Sequence, residues 1–214
     1  MSEKKILYLG LDPKRFEHKG ELFHYPVIRI SARPTSCPHI QKAFQQLPLY
    51  THIIFTSRSA IPIYLHLSKT LNPKYEHLHH QIIAVGSSTA QCAKQFNFNV
   101  QMIAKTETAE GIIEEIKKIC PLKASFFWPH SSLARPILSN FFLSEKITFH
   151  ECCIYDTIEQ KPLPIPNIEL FDEIVFTSPS TVHAFLKIFH NLPSHKKLTP
   201  IGPITKHILH SNMG

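Results

Sequence analysis

The sequence predicts an α/β protein of two similar lobes, each a parallel sheet flanked by helices, with a hinge between them. Three observations carry this expectation. From residue 52 onward, short apolar runs alternate with segments of helical periodicity, the pattern of parallel strands covered by helices. A strand-to-helix phrase is written twice, as THIIFTSRSAIPIYL at 51–65 and EIVFTSPSTVHAFL at 173–186. Each copy is followed by a strand-and-glycine phrase, IIAVGSSTA at 82–90 and TPIGPIT at 199–205. Repetition on that scale marks two related units. Finally, two Pro-rich connectors, SARPTSCP at 31–38 and EQKPLPIP at 159–166, bracket an inner stretch.

In chain order, residues 4–9 read as a buried strand, and the polar stretch 12–21 has room for a short helix at most. FHYPVIRI at 23–30 reads as a second strand, with Pro26 placing it at an edge or a strand start. The regular alternation then gives strands at 52–56, 81–85, 99–103, 125–128 and 147–154. Helices are expected at 59–71, 87–96, 108–119 and about 132–142, the third with an apolar stripe of Ile112, Ile113, Ile116 and Ile119. After residue 166 the order is strand, helix, strand, helix. Neither outer piece has enough strands for its own sheet. Residues 1–30 and 160–214 should therefore combine into one discontinuous outer lobe, with 38–153 as the inner lobe and linkers at about 31–37 and 154–159. Two adjacent crossings imply a hinge and a cleft, and ligands in such folds sit outside the carboxyl ends of the strands.

A chain of 214 residues can bury two cores of about 100 residues each. Its 43% apolar and 18% charged residues are those of a soluble globular protein. No apolar run approaches the ~20 residues that span a membrane, and MSEKKILYLG is too short for a signal-peptide core. Cys37, Cys92, Cys120, Cys152 and Cys153 are odd in number and lack a Cys-x-x-Cys, so reduced thiols in the cytoplasm are expected. The net charge of +7 favours an anionic partner. Lys and Arg are dispersed, with no recognition-helix or aromatic-strand pattern, which argues against nucleic acid.

The residues suited to chemistry lie between strand ends and helix starts: Ser57, Arg58 and Ser59; Gly86, Ser87, Ser88 and Thr89; Ser178 and Ser180; Gly202 and Thr205. Singly, each is an ordinary helix cap. Together, several helix starts offer unpaired N–H groups and positive dipole ends, which suit a ligand with several carboxylates. Arg135 is either a surface charge or a carboxylate clamp. Tyr155 is either a packed linker residue or a proton donor that stays uncharged at neutral pH. No dinucleotide or phosphate-loop glycine pattern, nucleophile elbow or metal-ligand spacing occurs, and the tract His77-Leu78-His79-His80 reads as a solvated loop. No cofactor and no metal are expected.

FTSRSAI, AVGSSTA, TAEGI, FWPHSSLAR, CCIYDTI, FTSPSTV and PIGPIT, in that order and at that spacing from about 52 to 205, resemble the uroporphyrinogen-III synthase family. The resemblance implies two flavodoxin-like lobes joined by a two-stranded hinge linker, the outer lobe built from both chain ends. It implies a cofactor-free cytoplasmic lyase of haem biosynthesis that cyclises hydroxymethylbilane, an octacarboxylate, to uroporphyrinogen III with inversion of ring D. Thr89, Ser178 and Thr205 match polar cleft positions of the family, and Tyr155 is expected to assist departure of the substrate hydroxyl. A monomer with no membrane partner is expected. The family continues past the Gly-Pro-Thr-Thr phrase with another strand and helix, so an incomplete outer lobe is expected. The alternative is a non-catalytic binder of a polycarboxylate or tetrapyrrole.

Overall fold

A computed structural model describes residues 3–14, 16, 19–76, 79–119 and 124–213. His77, Leu78 and Cys120, named above, lie outside the described residues. Contacts divide the chain into two units, Met1–Ile30 with Thr157–Gly214, and Ser31–Asp156. Among the described residues no helix is long and apolar enough to cross a membrane.

The first unit holds a four-stranded parallel sheet in the order β10-β9-β1-β2: Lys197–Pro200, Glu173–Phe176, Lys5–Tyr8 and Glu21–His24. The central strands β1 and β9 are apolar on both faces, as a parallel sheet covered on two sides requires. On one face, Leu7, Ile174 and Phe176 pack against Val182 and Phe185 of α6 (Pro179–Phe189) and Leu209 of α7 (Pro203–Ser211). On the other, Ile6, Tyr8 and Val175 pack against Phe16.

A six-stranded sheet, ordered β3-β8-β7-β4-β5-β6, holds the strands of the second unit, with β3 and β8 running on into residues of the first. These are Ile28–Ala32, Thr148–Glu159, Ser125–Ser131, His52–Phe55, Gln81–Ala84 and Val100–Ile103. From β8 to β6 it is parallel. Arg33 N–H donates to the Ile154 carbonyl at 2.9 Å and Gln160 N–H to that of Val27 at 2.9 Å, so β3 runs against β8. One face carries an aromatic cluster, Phe44 of α1 (Pro38–Gln45), Tyr64 of α2 (Ala60–Leu71), Phe55 and Phe127. The other packs Ile54, Phe126 and Trp128 against Ile112 and Ile116 of α4 (Ala109–Ile116) and Leu138 and Phe142 of α5 (Ile137–Ser144). Helix α3 (Ser87–Gln95) follows β5.

Several elements differ from expectation. The single strand at 23–30 is two, β2 and β3, interrupted at Tyr25–Val27, where Pro26 offers no amide to the ladder. The 31–37 linker begins as the end of β3, and α1, unexpected, follows at Pro38. Its signal was present: Ile40, Ala43, Phe44 and Leu47 recur at helical spacing and are buried, and Pro38 stands at the first helical position. Strand β7 continues past Trp128 to Ser131, and α5 starts only at Ile137, because Pro136 serves as its N-cap. Strand β8 runs unbroken through 154–159, so Tyr155 lies inside a strand rather than after one.

Candidate active site

Tyr155 is 4% exposed, and Ser57 and Ser131 are the neighbouring side chains that favour its ionised form. Both serines are held ready to donate. Ser57 Oγ accepts the Ser59 amide at 3.1 Å and Ser131 Oγ accepts the Leu133 amide at 3.2 Å, which leaves each hydroxyl hydrogen available to a neighbouring acceptor. Ser131 reaches Tyr155 through an irregularity in the ladder. His130 pairs with Cys153, but Ser131 pairs with Tyr155, so β8 has one extra residue there. Burial pushes the phenol above its ordinary value, while donation from Ser57 and Ser131 pulls it back in part.

Further polar groups cluster at the same strand ends. Trp128 Nε1 donates to Thr56 Oγ1 at 3.2 Å, and the His130 ring lies 4.5 Å from the Trp128 ring. His130 Nδ1 is 2.8 Å from the Ser131 carbonyl, which can only accept, so that nitrogen carries the proton. Burial lowers the affinity of His130 for a second proton. Arg33 grips Asp156 with Nε to Oδ2 at 3.1 Å and Nη2 to Oδ1 at 3.0 Å. Arg33, then Ser132, hold the Asp156 carboxyl below the usual carboxylate range.

The remaining expected residues are placed as follows. Arg58 is half-buried in the turn before α2, where its carbonyl accepts the Ile61 amide at 3.2 Å. Gly86 is the N-cap of α3, Ser87 is exposed, Ser88 half-buried, and Thr89 is 4% exposed. The α3 start already faces a carboxylate: Glu107 Oε1 lies 3.5 Å from Ser87 Oγ and 2.3 Å from where a Cβ on Gly86 would stand. Arg135 is exposed and engaged by Glu110 at 3.3 Å through both terminal nitrogens. In the other unit, Ser178 and Ser180 bring their hydroxyls within 2.8 Å of each other at the α6 start, and the Thr181 hydroxyl accepts the Ser178 amide at 3.2 Å. Gly202 caps α7 with φ 81° and ψ 159°, and Thr205 is 3% exposed.

Of the expected residues, the structure brings Ser57 to Tyr155. Arg33, Thr56, His130, Ser131, Ser132 and Asp156 were missed. His130, Ser131 and Ser132 sit in the FWPHSSLAR phrase, but the pairing of Ser131 with Tyr155 depends on an extended β7 and the extra residue in β8. Among the described residues, no group of three His, Cys, Asp or Glu side chains could hold a metal. The cluster can offer a buried, neutral phenolic proton with two hydroxyls to steady the oxygen once that proton leaves.

The family model described as uroporphyrinogen-III synthase HemD matches residues 15–212. The uroporphyrinogen-III synthetase of Helicobacter pylori superposes with a TM-score of 0.64 at 20% identity, over 97% of this chain and 88% of that one. A mutant uroporphyrinogen III synthase of Thermus thermophilus gives 0.62 at 14% identity with the same coverage of both chains, 97% and 88%. At such identities these two likenesses speak to the fold. A Methanocaldococcus jannaschii protein, itself only provisionally assigned as a uroporphyrinogen-III synthase, is 25% identical over 170 residues, 76% of this chain and 70% of its own length.

Proposed function

The chain belongs to the uroporphyrinogen-III synthase family, and from that premise we propose how its own residues cyclise hydroxymethylbilane to uroporphyrinogen III. The observation that carries the proposal is the buried Tyr155, paired in the ladder with Ser131 and adjoined by Ser57. Tyr155 gives its proton to the hydroxymethyl oxygen as the carbon–oxygen bond breaks, and water leaves. The adjacent pyrrole nitrogen supplies the electron pair and loses its own proton, which gives an azafulvene. Ring D attacks through its substituted carbon, forming a spiro centre that fragments and recloses with the ring inverted. The azafulvene nitrogen takes a proton back as its ring is attacked, and loss of the ring proton at closure restores the pyrrole and returns to Tyr155 the proton it gave up, so water is the net by-product. Ser57 and Ser131 stabilise the phenolate in the interval by donating to it.

Linear hydroxymethylbilane also closes unaided, without inversion, so folding the substrate ahead of closure is the larger part of the task. Serine hydroxyls at helix starts, Ser87 and Ser88 of α3 and Ser178 and Ser180 of α6, are proposed carboxylate contacts. The acting species is a single chain in the cytoplasm, with no nucleic-acid partner. The free thiols of Cys37, Cys152 and Cys153 support the cytoplasm, and the dispersed Lys and Arg argue against nucleic acid.

Incubation with hydroxymethylbilane followed by isomer analysis tests the assignment. The wild type should give isomer III in excess, whereas isomer I at the spontaneous rate would mean a binder rather than a catalyst. Tyr155→Phe should lower isomer III formation about 10²-fold, the lower end of what a positioned acid contributes. Unchanged turnover would remove Tyr155 from the mechanism.

A further inference from the structure

The phenol of Tyr155 shares a face with Ser131 only because Ile154 is an extra residue in β8. In an unbroken ladder Ser131 would face Ile154, and the phenol would turn to the opposite side of the sheet. A bulge is a local loss of pairing, so its backbone needs other partners. Here each of three successive residues is fastened. Arg33 N–H donates to the Ile154 carbonyl at 2.9 Å, and Ser132 N–H donates to the Tyr155 carbonyl at 3.0 Å. The Asp156 carboxylate takes the two Arg33 bonds of 3.1 and 3.0 Å, and Ser132 beside it also favours its charged form. The fork of a guanidinium fixes a carboxylate in direction as well as distance.

We propose that Arg33 is a positioning residue for Tyr155: through Asp156, and with Ser132, it fixes the bulge that aims the phenol at Ser57 and Ser131. Its effect on turnover rests on the reading of Tyr155 as proton donor, but the geometric claim can be tested without substrate. Arg33→Lys is the informative change, because it keeps the charge and loses the fork, while the main-chain bond to Ile154 is unaffected.

A misplacement of about 1 Å at a reacting group costs on the order of 10²-fold. Arg33→Lys should therefore lower kcat about ten- to hundredfold, with KM within about twofold. In the Tyr155→Phe background the same change should cost less than about twofold, since the group it acts through is gone. In protein labelled with 3-fluorotyrosine, the Tyr155 resonance, identified by its loss in Tyr155→Phe, should shift in Arg33→Lys with no ligand present. A loss of equal size in both backgrounds, or an unmoved fluorine resonance, overturns the proposal. If the wild type forms no excess isomer III, the reaction assignment falls, and the fluorine spectrum alone still decides this one.

Discussion

Burial raises the Tyr155 phenol above its ordinary value, and Ser57 and Ser131 restore only part of the difference. For an acid that is neutral when protonated, a raised value in the folded state keeps the proton on. The protonated form is secure below the unfolded value of about 10 and is lost only as pH rises through the higher folded value. Tyr155 should thus impose no alkaline loss of kcat between about pH 7 and 9, with a decline above about pH 10. Measuring kcat over that range, with Tyr155→Phe as the control, checks this. A Tyr155-dependent inflection near pH 8 would contradict it. Gly202 is a second residue whose behaviour follows from its surroundings. Its φ of 81° with ψ 159° is a region that only glycine enters readily, yet nothing lies within 4 Å of a Cβ built there. Gly202→Ala should cost about 1–3 kcal/mol through backbone strain alone, read as a shift of the urea midpoint with an unchanged slope. Tyr155 and Ser57 stood out in the sequence because each closes an apolar run. Ser131 and Arg33 did not, since a one-residue excess in a strand leaves no periodic trace.

At the scale of elements, apolar runs such as residues 53–55 and 174–176 were legible because both faces of a parallel strand are buried, which leaves a continuous apolar string. Boundaries at prolines were harder. Pro26 divides one apolar stretch into two strands, while Pro38 opens a helix that its Pro-rich surroundings concealed. Helix α3 shows a conflict that only coordinates reveal. Its start was expected to attract a carboxylate, and Glu107 stands there. A helix start is worth about 0.3–1 kcal/mol toward a negative group. If Ser87 and Ser88 receive a substrate carboxylate, Glu107 competes with it. Glu107→Gln should then lower KM about two- to fivefold and leave kcat unchanged, measured by initial rates of isomer III formation. An unmoved KM would take the α3 start out of recognition.

For the molecule as a whole, the excess of 23 Lys and Arg over 16 Asp and Glu gives the net charge of +7. Ion pairs such as Arg33–Asp156, Arg135–Glu110 and Lys187–Glu159 take equally from both signs and leave this excess unchanged. The excess acts on an octacarboxylate chiefly at a distance, and such attraction is screened over about 10 Å at 0.1 M salt and about 3 Å at 1 M. Tyr155, which Ser57 and Ser131 adjoin, is buried, where salt has little access. The two contributions should therefore separate. Between about 0.05 and 0.5 M sodium chloride, KM should rise several-fold while kcat stays within about twofold. Initial rates across a salt series, with isomer III quantified at each point, distinguish the alternatives. A flat KM would assign recognition to neutral donors such as the Ser178 and Ser180 hydroxyls. A kcat that fell in step with rising KM would mean that screened charge also acts in the transition state, and that closure of the ring depends on more than the phenol and its two serines.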